Sequence, residues 1–195
     1  RKSIQFLLSS NLSEVISIFT ATIMGFTLLK PVHLLWINLI TDCFPALSLG
    51  MEKAEKDIMM RKPRSSKDSI FSGGVGFDLI YQGLMVSVLT LAAYFIGHYI
   101  EAGVWEITNS PDGMTMAFLT MSMAEIFHSF NMRSRRSVFS IGIFSNRKLT
   151  ICAALCAALQ LIVMTVPPLR VLFDVSVLNI YAVSYTHLTL PTIRL

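Results

Sequence analysis

The chain has 195 residues, 53% of them hydrophobic and only 14% charged. Soluble domains carry about 25% charged residues, so the composition argues against a water-soluble globular fold and for lipid as the main solvent. The formal net charge of +4 comes from Lys and Arg gathered in two polar stretches, a distribution that reads as membrane topology and not as a nucleic-acid surface.

A spanning helix needs about 20 mostly apolar residues, and five segments meet that length. Arg1 and Lys2 precede the first, at about 4–26, and the short link 27–30 carries only Lys30. The second span covers about 31–50. Loop 51–76 follows, with Lys53, Lys56, Arg61, Lys62, Arg64 and Lys67; Pro63 and the Gly73–Gly74 pair predict an extended run that turns into the next span. The third span covers about 77–100. Loop 101–113 has no basic residue and carries Glu101, Glu106 and Asp112. The fourth span covers about 114–132, and loop 133–148 brings Arg133, Arg135, Arg136, Arg147 and Lys148. The fifth covers about 149–166 and closes at Pro167–Pro168. Basic flanks therefore alternate as five spans require, which puts 1–3, 51–76 and 133–148 on the cytosolic side. The fold class expected is all-α, a polytopic transmembrane helical bundle of about five spans. Loop 51–76 reads first as a solvated topogenic loop, and its basic residues also suit anionic lipid headgroups.

The chain opens on Arg1 directly before an apolar run, as an excerpt from a longer polypeptide would. Residues 176–195 read as an irregular tail, and SYTHLTLPTIRL within it resembles translated sequencing-adapter text, so 183–195 is expected to be non-native. Cys43, Cys152 and Cys156 all lie in apolar segments without paired spacing; they predict packing and not a disulfide framework or a metal site.

Three carboxylates fall inside spans: Glu14, Asp42 and Glu125. An acid at a span centre costs up to about 2.5–3.5 kcal/mol on insertion scales, so three cost on the order of 7–10 kcal/mol if ionised and unpaired. No Lys or Arg lies mid-span to neutralise them. They must be protonated, face water or meet an external cation. Asn11 shares a helical face with Glu14 at i, i+3, and Asn38, Thr41 and Asp42 share one in the second span. Ser122, His128 and Asn131 lie near Glu125. Carboxylates, amide carbonyls and a hydroxyl are hard oxygen donors that suit Ca²⁺. Pro45 has no N–H to donate, so carbonyls near 41–42 are expected to be freed. Each neutral group also has a bland role: Asn11 as interhelical glue, Thr41 bonded to its own helix, Ser122 and His128 as packed interior residues.

The strings SSNLSE (9–14), LLWINLITDCFPALSLGME (34–52), DIMMRKPRS (57–65) and MTMAFLTMSMAEIFHSFN (114–131) resemble the carboxy-terminal transmembrane part of P-type calcium-transporting ATPases, of the sarco/endoplasmic-reticulum type and its bacterial relatives. The resemblance covers about 1–175, and the W-x-N-L-x-T-D element followed by K-P-R carries most of its specificity. It implies that the first span here is the fifth of ten. It also implies that Asn11, Glu14, Thr41, Asp42 and Glu125 form one calcium site, and that Asn38 and Asp42 contribute to a second, with Asp42 shared. Ca²⁺ would be the transported ion. ATP and Mg²⁺ would act only through domains outside this sequence, which contains no D-K-T-G motif. The partners implied are the preceding part of the same polypeptide and the lipid bilayer, with a bacterial plasma membrane as the location. His128 stands where mammalian relatives often carry Asn and is left out of the ligand set.

Other function classes use buried acids too. A secondary cation/proton antiporter would run on a proton gradient without ATP, and a non-catalytic membrane subunit would tolerate Gln at all three acids. Among pumps, sodium/potassium types usually carry an acid where Asn38 stands, and manganese-competent types generally lack an acid at the Glu14 position.

Overall fold

The computed structural model describes residues 2–52, 74–133 and 146–178. Six helices follow in chain order, and no strand occurs among the described residues. These are α1 (Lys2–Met24), α2 (Pro31–Gly50), α3 (Val75–Ala102), α4 (Pro111–Asn131), α5 (Arg147–Thr165) and a short α6 (Pro167–Phe173). The fold is an all-α bundle. Four of the helices, α1, α2, α3 and α5, are long and apolar enough to cross a membrane.

The remaining expected span, α4, has 21 residues and so also reaches about 30 Å, but it is less apolar than the others. Its surroundings explain this. Met116, Ala117, Phe118, Met121, Ser122 and Glu125 all lie on α4 and are fully buried. A helix enclosed by protein meets neighbouring side chains and not lipid, so hydroxyls and an acid can replace apolar groups on its surface. The lipid-facing burden falls on outer residues such as Val15, Phe19 and Ile23 of α1 and Phe77, Ile80 and Leu84 of α3, all exposed and apolar.

Helix ends follow local chemistry. Gly25 (φ 85°) ends α1 and Gly103 (φ 72°) ends α3 in the left-handed region, where glycine carries no steric cost. Ser110 caps α4 by accepting from the Gly113 N–H at 2.8 Å, with Pro111 in the first turn. Asn146 caps α5 through Leu149 N–H at 3.1 Å. The α3–α4 contact is very close. A Cβ on Gly113 would lie 2.7 Å from the Tyr94 carbonyl, and one on Gly97 would lie 2.8 Å from the Gly113 Cα.

The two ends of the bundle differ in the way the alternating charges predict. At one end Glu52, just past α2, accepts from Arg133, just past α4, at 3.2 Å, and from Asn146 before α5. Lys2 donates to the Arg133 carbonyl at this same end. Phe6, Ala46, Leu49, Met132 and Leu149 form an apolar plug there. At the other end Thr27 N–H donates to Asn109 at 2.7 Å, Phe26 stacks on Tyr94, and Lys30 pairs with Asp174. The segments read as cytosolic thus meet at one end. Most of the two basic loops, and the stretch expected to be non-native, lie outside the described residues.

Two features depart from the expected layout. The fifth span ends at Val166, but Pro167–Pro168 begins α6, since proline fits the first turn of a helix as well as it ends one. Beyond α6, Val175 is buried and the Ser176 N–H donates to Thr115 Oγ1 of α4.

Candidate cation site

The π-helical turn Ile37–Asp42 divides α2 into Pro31–Trp36 and Cys43–Gly50. Pro45 accounts for it. Its missing N–H leaves the carbonyl one turn earlier without a donor, and its ring crowds that carbonyl; a widened turn relieves both. In the π register the donor opposite the Ile40 carbonyl would be Pro45, which has none. The Cys156 thiol of α5 donates to that carbonyl at 3.3 Å. Nearby, Ser48 Oγ donates to Cys152 Sγ at 2.9 Å. All three cysteines are free thiols, and the two on α5 join it to α2.

The widened turn carries Asn38, Thr41 and Asp42 into the bundle. Glu14 from α1, Asp42 from α2 and Glu125 from α4 each offer an oxygen, and these atoms lie within 4.8 Å of one another. Asp42 and Glu125 are fully buried and Glu14 is 7% exposed. Hydroxyls and an amide satisfy part of this acidity. Ser10 Oγ donates to Asp42 Oδ1 at 2.8 Å, and Ser13 Oγ donates to Glu125 Oε1 at 3.1 Å. The Asn38 amide donates to both Glu14 oxygens at 3.0 Å. Asp42 Oδ2 and Glu125 Oε2 accept from no N–H or hydroxyl, and the two carboxyl groups lie within hydrogen-bonding reach of each other. A buried carboxylate oxygen without such a donor is costly, and two of them among converging acids are the kind of position that a proton or a cation fills.

Of the six residues expected to bind an ion, the structure brings Glu14, Asn38, Asp42 and Glu125 together. Thr41 is fully buried on the same turn, with its hydroxyl donating to the Ile37 carbonyl at 2.9 Å. Asn11 is not brought in: it is exposed, and its amide donates to the Leu7 carbonyl at 2.8 Å. Helical geometry explains why. The buried stripe of α1 runs through Phe6, Ser10, Ser13, Ser17 and Ala21. Glu14 sits at its edge, and Asn11 lies a further ~60° round the helix. His128 accepts from or donates to Ser9 at 3.0 Å, a turn away from Glu125. The residues that the expected set omits are Ser10 and Ser13. Their signal was present in SSNLSEVIS, whose serines recur at three- and four-residue steps on the face that holds Glu14.

These observations define a polytopic, all-helical membrane domain with a buried cluster of hard oxygen donors. The family model described as "Cation transporting ATPase, C-terminus" matches residues 26–192. The chain belongs to that family of cation-transporting ATPase C-terminal regions. It is 42% identical over 192 residues to calcium-transporting ATPase 1 of Bacillus cereus, covering 92% of this chain and 22% of that protein. It is 36% identical over 174 residues to a calcium-transporting ATPase of Bacillus subtilis, covering 89% of this chain and 19% of the relative. A Listeria monocytogenes calcium-transporting ATPase is 35% identical over 181 residues, 90% of this chain and 19% of that protein. The chain thus spans about a fifth of the length of these relatives.

Proposed function

We propose that this chain is the ion-binding membrane part of an ATP-driven calcium pump that moves Ca²⁺ out of the cytosol, with protons returning on the vacated carboxylates. The observation that carries the reading is the convergence of Glu14, Asp42 and Glu125 from three helices, with an oxygen on each of the last two that accepts from no N–H or hydroxyl. Ca²⁺ takes six to eight oxygens in flexible geometry, and carboxylates with an amide and a hydroxyl nearby are that kind of donor set. Asn38 and Thr41 complete the proposed set on α2. Asn38 now turns its NH₂ group to Glu14; as a ligand it would present its carbonyl oxygen instead, and the amide rotation would release Glu14 for the ion. Asn11 enters the set only if α1 turns further inward.

The energy source would lie in the remainder of the polypeptide, where ATP and Mg²⁺ would bind. Identity to bacterial calcium-transporting ATPases supports Ca²⁺ as the cargo and a bacterial plasma membrane as the location. The end that gathers Lys2, Glu52, Arg133 and Asn146 would face the cytosol, in line with the positive-inside rule.

The test is ATP-driven uptake of radioactive calcium by inside-out vesicles that contain the full-length protein. Uptake should require ATP and vanish in Asp42→Asn. Uptake driven by a proton gradient alone would point to an antiporter, and normal uptake by Asp42→Asn would remove the cluster from the mechanism.

A further inference from the structure

The buried face of α5 is a narrow stripe of Leu149, Ala153, Cys156, Gln160 and Val163, at steps of three and four residues. The outer side carries exposed Ile151, Leu155, Leu161 and Ile162. Apolar side chains alone could fill such a stripe, yet Cys156 and Gln160 sit at its centre, both fully buried. Each bonds to α2. Gln160 Oε1 accepts from Trp36 Nε1 at 2.8 Å, on the residue just before the π turn. Cys156 Sγ donates to the Ile40 carbonyl at 3.3 Å, inside the turn. One helical turn earlier on α5, Cys152 Sγ accepts from Ser48 Oγ at 2.9 Å, beyond the turn.

Pro45 makes the middle contact decisive. With no N–H at that position, one carbonyl of α2 lacks a backbone donor whichever register the helix takes. In an α register it is the carbonyl of Thr41, four residues earlier; in the π register it is that of Ile40, five residues earlier. Cys156 meets the Ile40 carbonyl. The thiol thus satisfies the group that the π register leaves bare, while the Thr41 side of the backbone lies about 100° further round the helix. Asp42 ends the turn, two residues past Ile40, so the register sets where its carboxylate lies relative to Glu14 and Glu125.

We propose that Cys156 is a positioning residue for the cation site: by donating to the Ile40 carbonyl it selects the widened turn of α2 and so aims Asp42 at Glu14 and Glu125. This rests on the proposed function only in taking calcium affinity as one readout. Without the thiol, the Ile40 carbonyl gains a donor by taking the Phe44 N–H in an α register. The turn then tightens, and Asp42 rotates relative to Glu14 and Glu125. The chemistry of the tie is modest by design of the group itself: a thiol is a weak donor beside an amide or a hydroxyl, so it biases the register of the turn without locking it. Gln160 and Cys152, bonded to either side of the turn, keep the two helices aligned while the thiol chooses between registers.

Two measurements on the full-length protein decide it. The first is the infrared S–H stretching band, with the Cys156 contribution taken as the difference between wild type and Cys156→Ser. The band should lie at the lower frequency of a donating thiol. In Pro45→Ala, where the backbone of α2 supplies every donor, it should move to the frequency of a free thiol. The second is a double-mutant cycle on calcium affinity. Cys156→Ala should bind about tenfold more weakly than wild type, the scale of one bond lost at a buried carbonyl. In the Pro45→Ala background the same substitution should change affinity by less than about twofold, because the turn there no longer depends on the thiol. A packing role alone predicts equal losses in both backgrounds. Equal losses, wild-type affinity in Cys156→Ala, or a free-thiol band in wild type would each overturn the proposal. If the full-length protein bound no calcium, the functional reading would fall, while the S–H band would still decide the contact.

Discussion

Removing one acid from the cluster should make the ion-free protein more stable and the ion less able to stabilise it. Two unit charges 4.8 Å apart repel by about 3.5 kcal/mol at an effective dielectric near 20. Glu125 takes part in two such pairs, with Glu14 and Asp42. Proton uptake relieves part of this repulsion, so Glu125→Gln should gain a fraction of it, on the order of 1–3 kcal/mol. The change is otherwise mild, since Gln keeps an oxygen to accept from Ser13 Oγ, now 3.1 Å from Glu125 Oε1. In wild type, calcium at a hundred times its dissociation constant should add about 2.7 kcal/mol; in the variant most of that should disappear. The assay is thermal unfolding of the full-length protein in chelator and in saturating Ca²⁺. In chelator the variant should melt higher than wild type, and the gap should widen as pH rises and the acids ionise. A variant that melts lower in chelator and keeps the full calcium-induced shift would refute the electrostatic account.

Three other outcomes follow from the packing. Pro45→Ala restores an N–H and removes the cause of the π turn. Loss of that extra residue rotates one half of α2 by about 100° against the other, so calcium titrations followed by the fluorescence of Trp36 should show at least a tenfold loss of affinity without a fall in melting temperature. Gly113→Ala places a Cβ 2.7 Å from the Tyr94 carbonyl and should cost about 1–3 kcal/mol of stability, measured as a lower midpoint in denaturant. Glu52→Ala removes the acceptor shared by Arg133 and Asn146; charge-assisted bonds contribute about 1.5–3 kcal/mol, so hydrogen exchange at the ends of α2 and α4 should speed up clearly more than at their centres.

Much of this arrangement was legible in the residues because lipid imposes strong rules. Span positions follow from length and hydropathy, and the gathering of Lys2, Glu52, Arg133 and Asn146 at one end follows from charge alternation. The meeting of Glu14, Asp42 and Glu125 followed from cost, since isolated mid-span acids are too expensive to leave apart. Asn11 lies outside the cluster for a geometric reason: a spacing of three residues tolerates about 60° of rotation, enough to put one side chain inside and its neighbour outside. Ser10 and Ser13 were overlooked because serine in an apolar helix often bonds only to its own backbone, and only the partner helices show which hydroxyls reach further. Pro45 signalled freed carbonyls, but whether a helix kinks, breaks or widens to a π turn depends on what lies opposite, here Cys156. The apolar–polar balance of α4 reflects enclosure by its neighbours, which no single segment can reveal. The docking of α6 rests on His33, Trp36, Phe118 and Phe173, residues far apart in the chain whose stacking has no local signature.

The central claim is that acids from three helices share one divalent guest, and a structure of the full-length protein with Ca²⁺ bound tests it most directly. The account predicts calcium density about 2.3–2.6 Å from oxygens of Asp42 and Glu125, with Glu14 released by Asn38 and turned to the same ion. Calcium density elsewhere, with these three side chains still bonded to Ser10, Ser13 and Asn38 as they are now, would contradict it.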